Sequence, residues 1–130
     1  MNNQKNIVLC GVGGQGTVLA SKLLAAAAMS KDIPVMSAET IGMAQRGGSV
    51  FSHLRMGDNL YSPMIETGTA DLIIGFEPGE TVRMLPYLKD HGHIVVSTRA
   101  VKPVTATLSG SDYDAPQMLE YLKAAVPNLT

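Results

Sequence analysis

Six residues near the N-terminus, Gly11–Gly16, constrain the fold of this chain more than any other part of its sequence. They read Gly-Val-Gly-Gly-Gln-Gly and come after the short apolar run Asn6–Cys10, which predicts a buried strand. From Gln15 to about Ser30 the apolar residues recur at helical spacing. A strand, a glycine-rich turn and a helix in this order indicate the first unit of an α/β fold.

The rest of the chain predicts strands that alternate with helices. Ser49–Met56 alternates in polarity and is followed by the turn Gly57-Asp58-Asn59, which predicts a β-hairpin whose second arm is Leu60–Ser62. Glu39–Gly48 is polar and irregular. The other predicted strands are Ile33–Ser37, Asp71–Phe76, Thr105–Leu108 and His93–Thr98, and the other predicted helices are Gly79–Leu88 and Ala115–Val126. We therefore predict an α/β fold, a single three-layer domain over residues 1–130 with a mainly parallel sheet and a β-hairpin insertion.

Composition excludes several classes of function. The formal net charge is −1 without a run of like charges, which argues against binding to nucleic acid or to a membrane surface. No apolar stretch reaches the roughly 18 residues of a membrane span, and the N-terminus does not resemble a signal peptide. Cys10 is the single cysteine, which indicates a reducing compartment, the cytoplasm. An iron–sulfur cluster needs about four thiolates, and His91 with His93 alone makes a poor metal site, so we expect no metal here.

The glycine turn is the first candidate binding site. It fits the pattern G-x-G-x-x-G, in which glycines let the backbone approach a ligand while the first helical amides face an anion. The turn lacks the Lys and Ser/Thr of a Walker A loop, since Thr17 and Val18 come directly after it. The alternative is a tight turn that binds nothing. The candidate contacts are Gly11, Gly13, Gly14, Gln15 and Gly16.

A free-standing module that binds NAD or another nucleotide is the alternative function. Glu39 lies near the end of the second predicted strand, where such a fold places an acidic residue on the ribose. The segment after Glu39 argues against this function, because it leads into a hairpin rather than a helix. A third hypothesis is a purely structural subunit whose glycine turn binds nothing.

A second polar loop is Gln45-Arg46-Gly47-Gly48, in which successive amides beside a guanidinium could form an anion-binding nest. The alternative is a surface turn with a solvated arginine. On the next strand, a period of two places Phe51, His53 and Arg55 on one face. Nothing nearby orients His53 for catalysis, so we expect no catalytic residue. This face is expected either to recognise an anion or a partner subunit, or to be solvated surface.

Four segments together resemble the gamma-type subunit of 2-oxoacid:ferredoxin oxidoreductases, the family of the pyruvate, 2-oxoglutarate and indolepyruvate enzymes. These segments are the glycine turn, Glu39 with Gly42–Val50, Ser52–Asp58 with Tyr61-Ser62-Pro63, and Ala70–Leu72 with Phe76-Glu77-Pro78. The block Gln45–Ser49 after the glycine turn is more specific than either loop alone.

The resemblance implies a role in a heteromeric complex. Such a complex oxidatively decarboxylates a 2-oxoacid to an acyl-CoA and reduces ferredoxin, using thiamine diphosphate and iron–sulfur clusters that other subunits hold. This chain is then expected to bind no cofactor alone and to help bind coenzyme A, with the glycine turn and the Arg46 loop as contacts. Its partners are the thiamine-binding and iron–sulfur subunits. The family's gamma unit continues with another strand and helix, so we expect this chain to be short at its C-terminus.

Overall fold

The computed structural model describes residues 4–41, 49–99 and 115–130. Within these ranges one sheet has the strand order β2-β3-β1-β4-β5. Its strands are β1 (Lys5–Val12), β2 (Val35–Ile41), β3 (Ser49–Met56), β4 (Ala70–Gly75) and β5 (Leu88–Val96). The helices are α1 (Thr17–Ser30), α2 (Pro78–Arg83) and α3 (Ala115–Ala125), with a 3₁₀ turn at Leu85–Tyr87.

The sheet is mixed, so the prediction of an α/β fold is confirmed and that of a mainly parallel sheet only in part. β4 pairs in parallel with both β1 and β5, whereas β3 runs antiparallel to both β1 and β2. A parallel return needs a crossover of about a dozen residues or more. The connection from Ile41 to Ser49 is shorter than that, so β3 returns beside β2 in the opposite direction.

The predicted hairpin is wrong in its second arm. Leu60–Ser62 is not a strand, and β3 instead has β2 on one side and β1 on the other. Because β1 and β2 pair with both edges of β3, residues 57–69 have no free edge of β3 to pair with. Glu39 lies inside β2, so the prediction of an irregular segment is wrong for residues 39–41; residues 42–48 lie outside the described residues.

Helices cover both faces of the sheet. The buried cluster that joins Val8 and Cys10 of β1 to Leu122 and Val126 of α3 lies on one face, with α2. Because side chains alternate along a strand, Leu9 points to the other face, where α1 packs against β1, β2 and β3. This arrangement gives the predicted three layers.

Several boundaries differ from the prediction. The second helix begins at Pro78 but ends at Arg83, because Pro86 cannot continue an α-helix, and Leu88 begins β5. The predicted strand Thr105–Leu108 lies outside the described residues. At the C-terminus the amide of Thr130 donates to the carbonyl of Ile94 at 2.8 Å, which places Leu129 and Thr130 beside β5. Of the helices described, none has the length and apolarity to cross a membrane.

Candidate functional site

The glycine turn leads β1 directly into α1. Gly14 and Gly16 have φ angles of 93° and 89°, in the left-handed region that side chains with a Cβ rarely adopt. Gly16 is the N-cap of α1 and its carbonyl accepts the first helical bond, from the amide of Ala20 at 2.9 Å. Among residues 4–41, 49–99 and 115–130, no side chain caps this end. The first amides of the helix therefore point out of the turn, where an anion can accept from them.

Gln15 holds the turn together. Its Oε1 accepts from the amide of Val12 at 2.7 Å, and its Nε2 donates to the carbonyl of Phe76 at 3.1 Å. The amide of Phe76 in turn donates to the carbonyl of Cys10 at 2.8 Å. Sequence reasoning offered Gln15 as a ligand contact, but its side chain is already engaged in joining the ends of β1 and β4.

The glycines of the turn have two different roles. Gly11 is buried, and a Cβ there would lie 2.7 Å from Thr17 Oγ1 and 2.8 Å from Gln15 Oε1, so this glycine is required for packing. Gly14 and Gly16 have no atom within 4 Å of an added Cβ and face open space. Gly14 and Gly16, unlike Gly11, are therefore placed to meet a ligand.

A cavity of about 300 Å³ lies beside the turn. Gly13, Gly14 and Gly16 form its polar wall, and the side chains of Val12, Val18, Leu19 and Val50 form its apolar wall. Thr17 also lines it, and the Thr17 hydroxyl is buried without a hydrogen-bond partner among the described residues. The cavity can therefore receive an anionic group next to an apolar one.

The turn lies at a switch point of the sheet. β1 and β4 are parallel neighbours, and β1 leads to α1 on one face while β4 leads to α2 on the other. Ligands of open α/β sheets bind at the carboxyl ends of strands at such a point. Phe76 and Glu77 border it from the β4 side, a contribution that sequence reasoning missed. Glu77 before Pro78 was the available signal, because an acidic N-cap with proline at the first helical position is typical of a helix start.

Ser49 brings the start of β3 to the same edge. It pairs with Val12, its hydroxyl donates to Glu80 Oε1 at 2.9 Å, and Arg83 donates to the same hydroxyl at 3.0 Å. Glu80 is only 4% exposed, so the carboxylate that accepts from Ser49 is buried. The predicted anion nest of Gln45, Arg46, Gly47 and Gly48 lies outside the described residues; its flanking residues, Ile41 and Ser49, are both at this edge.

Glu39 does not lie at the site. β3 separates β2 from β1, and Glu39 is level with Ser52 and, through it, with Leu9. Across the sheet, Glu39 is therefore two strand spacings, about 10 Å, from β1. Along the strand direction it is level with Leu9, three residues or about 10 Å before Val12. In a dinucleotide fold the acidic strand is the direct neighbour of the first strand. The NAD-binding alternative therefore lacks support.

Phe51, His53 and Arg55 share one face of β3 as predicted, but that face is not solvated surface. The face is covered by residues 60–69 and by Tyr87, because the segment predicted as a hairpin arm folds across it. Phe51 packs on the core, and His53 is 1% exposed between Phe51 and Tyr87, with ring centroids 5.5 and 5.2 Å away. His53 Nδ1 accepts from the amide of Ile65 at 2.8 Å, and burial lowers the pKa of the ring.

Arg55 lies at the opposite end of the sheet from the glycine turn. It pairs with Asn6, six residues or about 20 Å along the strand from Ser49. Its guanidinium donates to Asn6 Oδ1, Ser62 O and Gln4 Oε1 at 3.0, 2.9 and 3.1 Å. A second cavity, of about 560 Å³, lies there, and several of the polar groups that line it bond to one another, as Asp71 does to Lys89. Arg55 therefore has a structural task, and a role in partner contact stays a prediction.

Titratable groups elsewhere offer no metal site in the parts of the chain that the structure describes, where no three His, Cys, Asp or Glu side chains converge. Cys10 is buried in β1, and its burial raises the pKa of the thiol to about 12 despite a contact with the Thr81 hydroxyl. A thiol with such a pKa is a poor nucleophile at neutral pH.

Comparison with known proteins places the chain in a family. The model of the family "Pyruvate ferredoxin/flavodoxin oxidoreductase" matches residues 6–126, nearly the whole chain. The chain belongs to this family. The resemblance seen in the sequence is thereby confirmed.

Relatives of known name agree with this assignment. The chain is 42% identical over 108 residues to the indolepyruvate oxidoreductase subunit IorB of Methanothermobacter thermautotrophicus, which covers 83% of this chain and 55% of that protein. It is 39% identical over 125 residues to the IorB subunit of Archaeoglobus fulgidus, covering 95% and 62%. The chain thus spans less than two thirds of the length of these relatives.

Solved structures share the fold. The gamma subunit of a keto/oxoacid ferredoxin oxidoreductase from Geobacter sulfurreducens PCA superposes with a TM-score of 0.56 at 23% identity, covering 76% of this chain and 56% of that one. The 2-oxoglutarate:ferredoxin oxidoreductase of Magnetococcus marinus, solved with 2-oxoglutarate, coenzyme A and succinyl-CoA bound, gives 0.66 at 18% identity, covering 88% and 18%.

Proposed function

We propose that this chain is the gamma-type unit of a multisubunit 2-oxoacid:ferredoxin oxidoreductase, without a redox centre of its own. The complex would decarboxylate a 2-oxoacid oxidatively to an acyl-CoA and pass the electrons to ferredoxin. Thiamine diphosphate and iron–sulfur clusters would be held by other subunits. The single cysteine, buried in β1, is consistent with that division of labour. The family membership and the subunit names of the relatives support this proposal.

The part of this chain in the reaction is to bind a phosphate group of coenzyme A at the glycine turn. The observation that carries this is the left-handed Gly16 at the start of α1, where no described side chain caps the first helical amides at the switch point between β1 and β4. A pyrophosphate or ribose phosphate would accept from these amides. The apolar wall of the adjacent cavity suits the uncharged parts of the same ligand.

Titration calorimetry with two matched glycine variants tests this site. Gly14 and Gly68 both have positive φ angles, 93° and 77°, and both face open space. Alanine at either position therefore strains the backbone by a similar amount. Gly14→Ala should weaken coenzyme A binding at least tenfold, because its methyl group would obstruct the approach to the amides, while Gly68→Ala should bind as the unmodified chain does. Equal affinities in both variants would remove the glycine turn from the site.

Arg46 is proposed as the second contact, because the residues that flank its segment lie near the glycine turn. Ile41 and Ser49 both lie at the edge where the glycine turn is found. Arg46→Ala should weaken coenzyme A binding by about 1.5–3 kcal/mol through loss of a charge-assisted hydrogen bond. Tight binding of NAD with none of coenzyme A would favour a nucleotide module instead.

The substrate of the complex is proposed to be an aromatic 2-oxoacid of the indolepyruvate type, because the IorB relatives are 39–42% identical to this chain. Ferredoxin reduction by the assembled complex should then be faster with indolepyruvate than with pyruvate or 2-oxoglutarate. A preference for pyruvate would instead place the chain with the common gamma subunits of pyruvate/ketoisovalerate oxidoreductases, to which it is 31% identical over 94 residues in Thermococcus kodakarensis.

A further inference from the structure

Helix α1 carries Leu19, Leu23 and Met29 on the side that faces away from its own sheet, whereas Leu24 lies half-buried on the sheet side. The residues that it buries are small or hydroxylated, namely Thr17, Ser21 and Ala28. On the opposite side Leu19 and Leu23 are each 61% exposed, and Met29 is 64% exposed. The usual surface helix differs, because its apolar stripe faces the core and its polar residues face water.

These exposed residues form one continuous surface. At 100° per residue, Leu19, Leu23, Ala26 and Ala27 fall on a single stripe, and Met29 and Lys22 lie together at its rim. We call these six residues the outer face of α1. Lys22 is the only charged residue of the helix. Single exposed apolar side chains are ordinary, but a helix that is apolar on both sides is typical of one buried on both sides.

We propose that the outer face of α1 is covered by an apolar helix of another subunit of the same oxidoreductase complex. This inference rests on the proposed function, since it presupposes the complex. Ala26 and Ala27 have small side chains, so a second helix can approach α1 closely between Leu23 and Met29. The ammonium group of Lys22, at the rim of the outer face, can stay hydrated or pair with an acidic group of the partner.

The available area favours a different subunit over a second copy of this chain. Fully burying an aliphatic side chain removes on the order of 100 Å² from water, so Leu19, Leu23 and Met29 together offer roughly 300 Å². A stable pair of proteins needs about 800 Å² from each partner. A symmetric pairing of two α1 helices falls well below that, whereas a subunit held in a larger complex by further contacts does not depend on this patch alone.

The other exposed apolar side chains do not extend this surface. Tyr121 is on α3, which packs on the opposite face of the sheet from α1, and Val95 is on the edge strand β5. Tyr61 and Met64 are in the segment that covers His53, which is also on the opposite face from α1. The outer face is therefore a separate patch. At its N-terminal end, Leu19 also lines the cavity beside the glycine turn, so a helix docked on α1 would close that cavity from the side.

Matched alanine-to-glutamate variants test the assignment in the complex reconstituted with its thiamine-binding subunit. Ala26 on α1 and Ala124 on α3 are both exposed helical alanines, so glutamate should leave the chain's circular dichroism and Tm unchanged at either place. Ala26→Glu and Leu23→Glu should raise the Kd for the subunit at least tenfold, whereas Ala124→Glu should not. Normal assembly of both α1 variants would overturn the inference.

Cross-linking identifies the occupant. Cys10 is buried, so a maleimide–benzophenone label will attach at the new thiol of Ala27→Cys in the folded chain. Cross-links to another subunit support the proposal. Cross-links only to a second copy or to the same polypeptide overturn it. If the unmodified chain binds no such subunit, the proposed function fails and this inference fails with it; if it binds and the α1 variants bind equally well, only the outer-face assignment fails.

Discussion

The side-chain amide of Gln15 donates a 3.1 Å hydrogen bond to the carbonyl oxygen of Phe76, 61 residues along the chain. Through its other atom, Oε1, the same side chain accepts from the amide of Val12 at 2.7 Å. One glutamine thus fixes the glycine turn at the end of β1 and joins that turn to the end of β4. The shape of the glycine turn depends on this bridge.

We predict that Gln15→Leu lowers the free energy of unfolding by about 1–3 kcal/mol, because two backbone groups lose their partner. Gln15→Glu keeps the acceptor for Val12 but places a carboxylate oxygen against the carbonyl of Phe76, so it should destabilise the turn through the Phe76 side alone. Urea denaturation of the chain gives the free energies, and calorimetry with coenzyme A gives the effect on binding. Unchanged stability in Gln15→Leu would show that the bridge contributes nothing.

Gly75 permits the close contact between β4 and α2. A Cβ built on Gly75 overlaps the hydroxyl of Thr81, so Gly75→Ala should destabilise the chain by about 1–3 kcal/mol or more. Thr81→Ala removes that hydroxyl but also its 2.8 Å bond to the carbonyl of Glu77. The double variant should therefore be more stable than the sum of the single effects predicts, which a double-mutant cycle measures. Strict additivity would contradict the proposed overlap.

His53 makes the stability of the chain depend on pH. Burial lowers the pKa of its ring below the ordinary 6.5, so the folded chain favours the neutral form. As the pH falls below about 6.5 the unfolded chain binds the extra proton first. The free energy of unfolding should therefore decrease on acidification, and level off below the folded pKa.

The variant His53→Asn separates this effect from other titrations. Asparagine can still accept from the Ile65 amide but cannot be protonated in this range. Urea midpoints measured from about pH 5 to pH 8 should depend less on pH in His53→Asn than in the unmodified chain. Identical pH profiles would assign the dependence to other groups.

Cys10 should be unreactive in the folded chain. Burial raises the pKa of its thiol to about 12, and a thiol reagent must both reach the sulfur and find it ionised. We expect no reaction with Ellman's reagent at pH 8 in buffer and one equivalent after unfolding in guanidinium chloride. Rapid labelling of the native chain would show that β1 opens easily or that the thiol is accessible.

Local sequence patterns were sufficient for the elements and for the family. Asn6–Cys10, the helix after it and the apolar strand beginning at Asp71 were found because each is continuous in sequence and keeps one period. The hairpin was wrong because Leu60–Ser62 looks like a strand locally, and nothing local reveals that β2 and β1 already occupy both edges of β3. The same holds for His53, whose burial depends on Tyr87 and Ile65, far away in the chain.

The sequence by itself determined the strand–turn–helix start, the positive φ angles that only its glycines adopt readily, the absence of a disulfide and the membership of the oxidoreductase family. These properties depend on residue type and short-range order. Only the tertiary structure decided that Glu39 lies away from the glycine turn, that Gln15 is a bridge and that α1 presents Leu19 and Leu23 outward. Strand order and helix orientation result from packing the whole chain, because side chains distant in sequence compete for the same buried space.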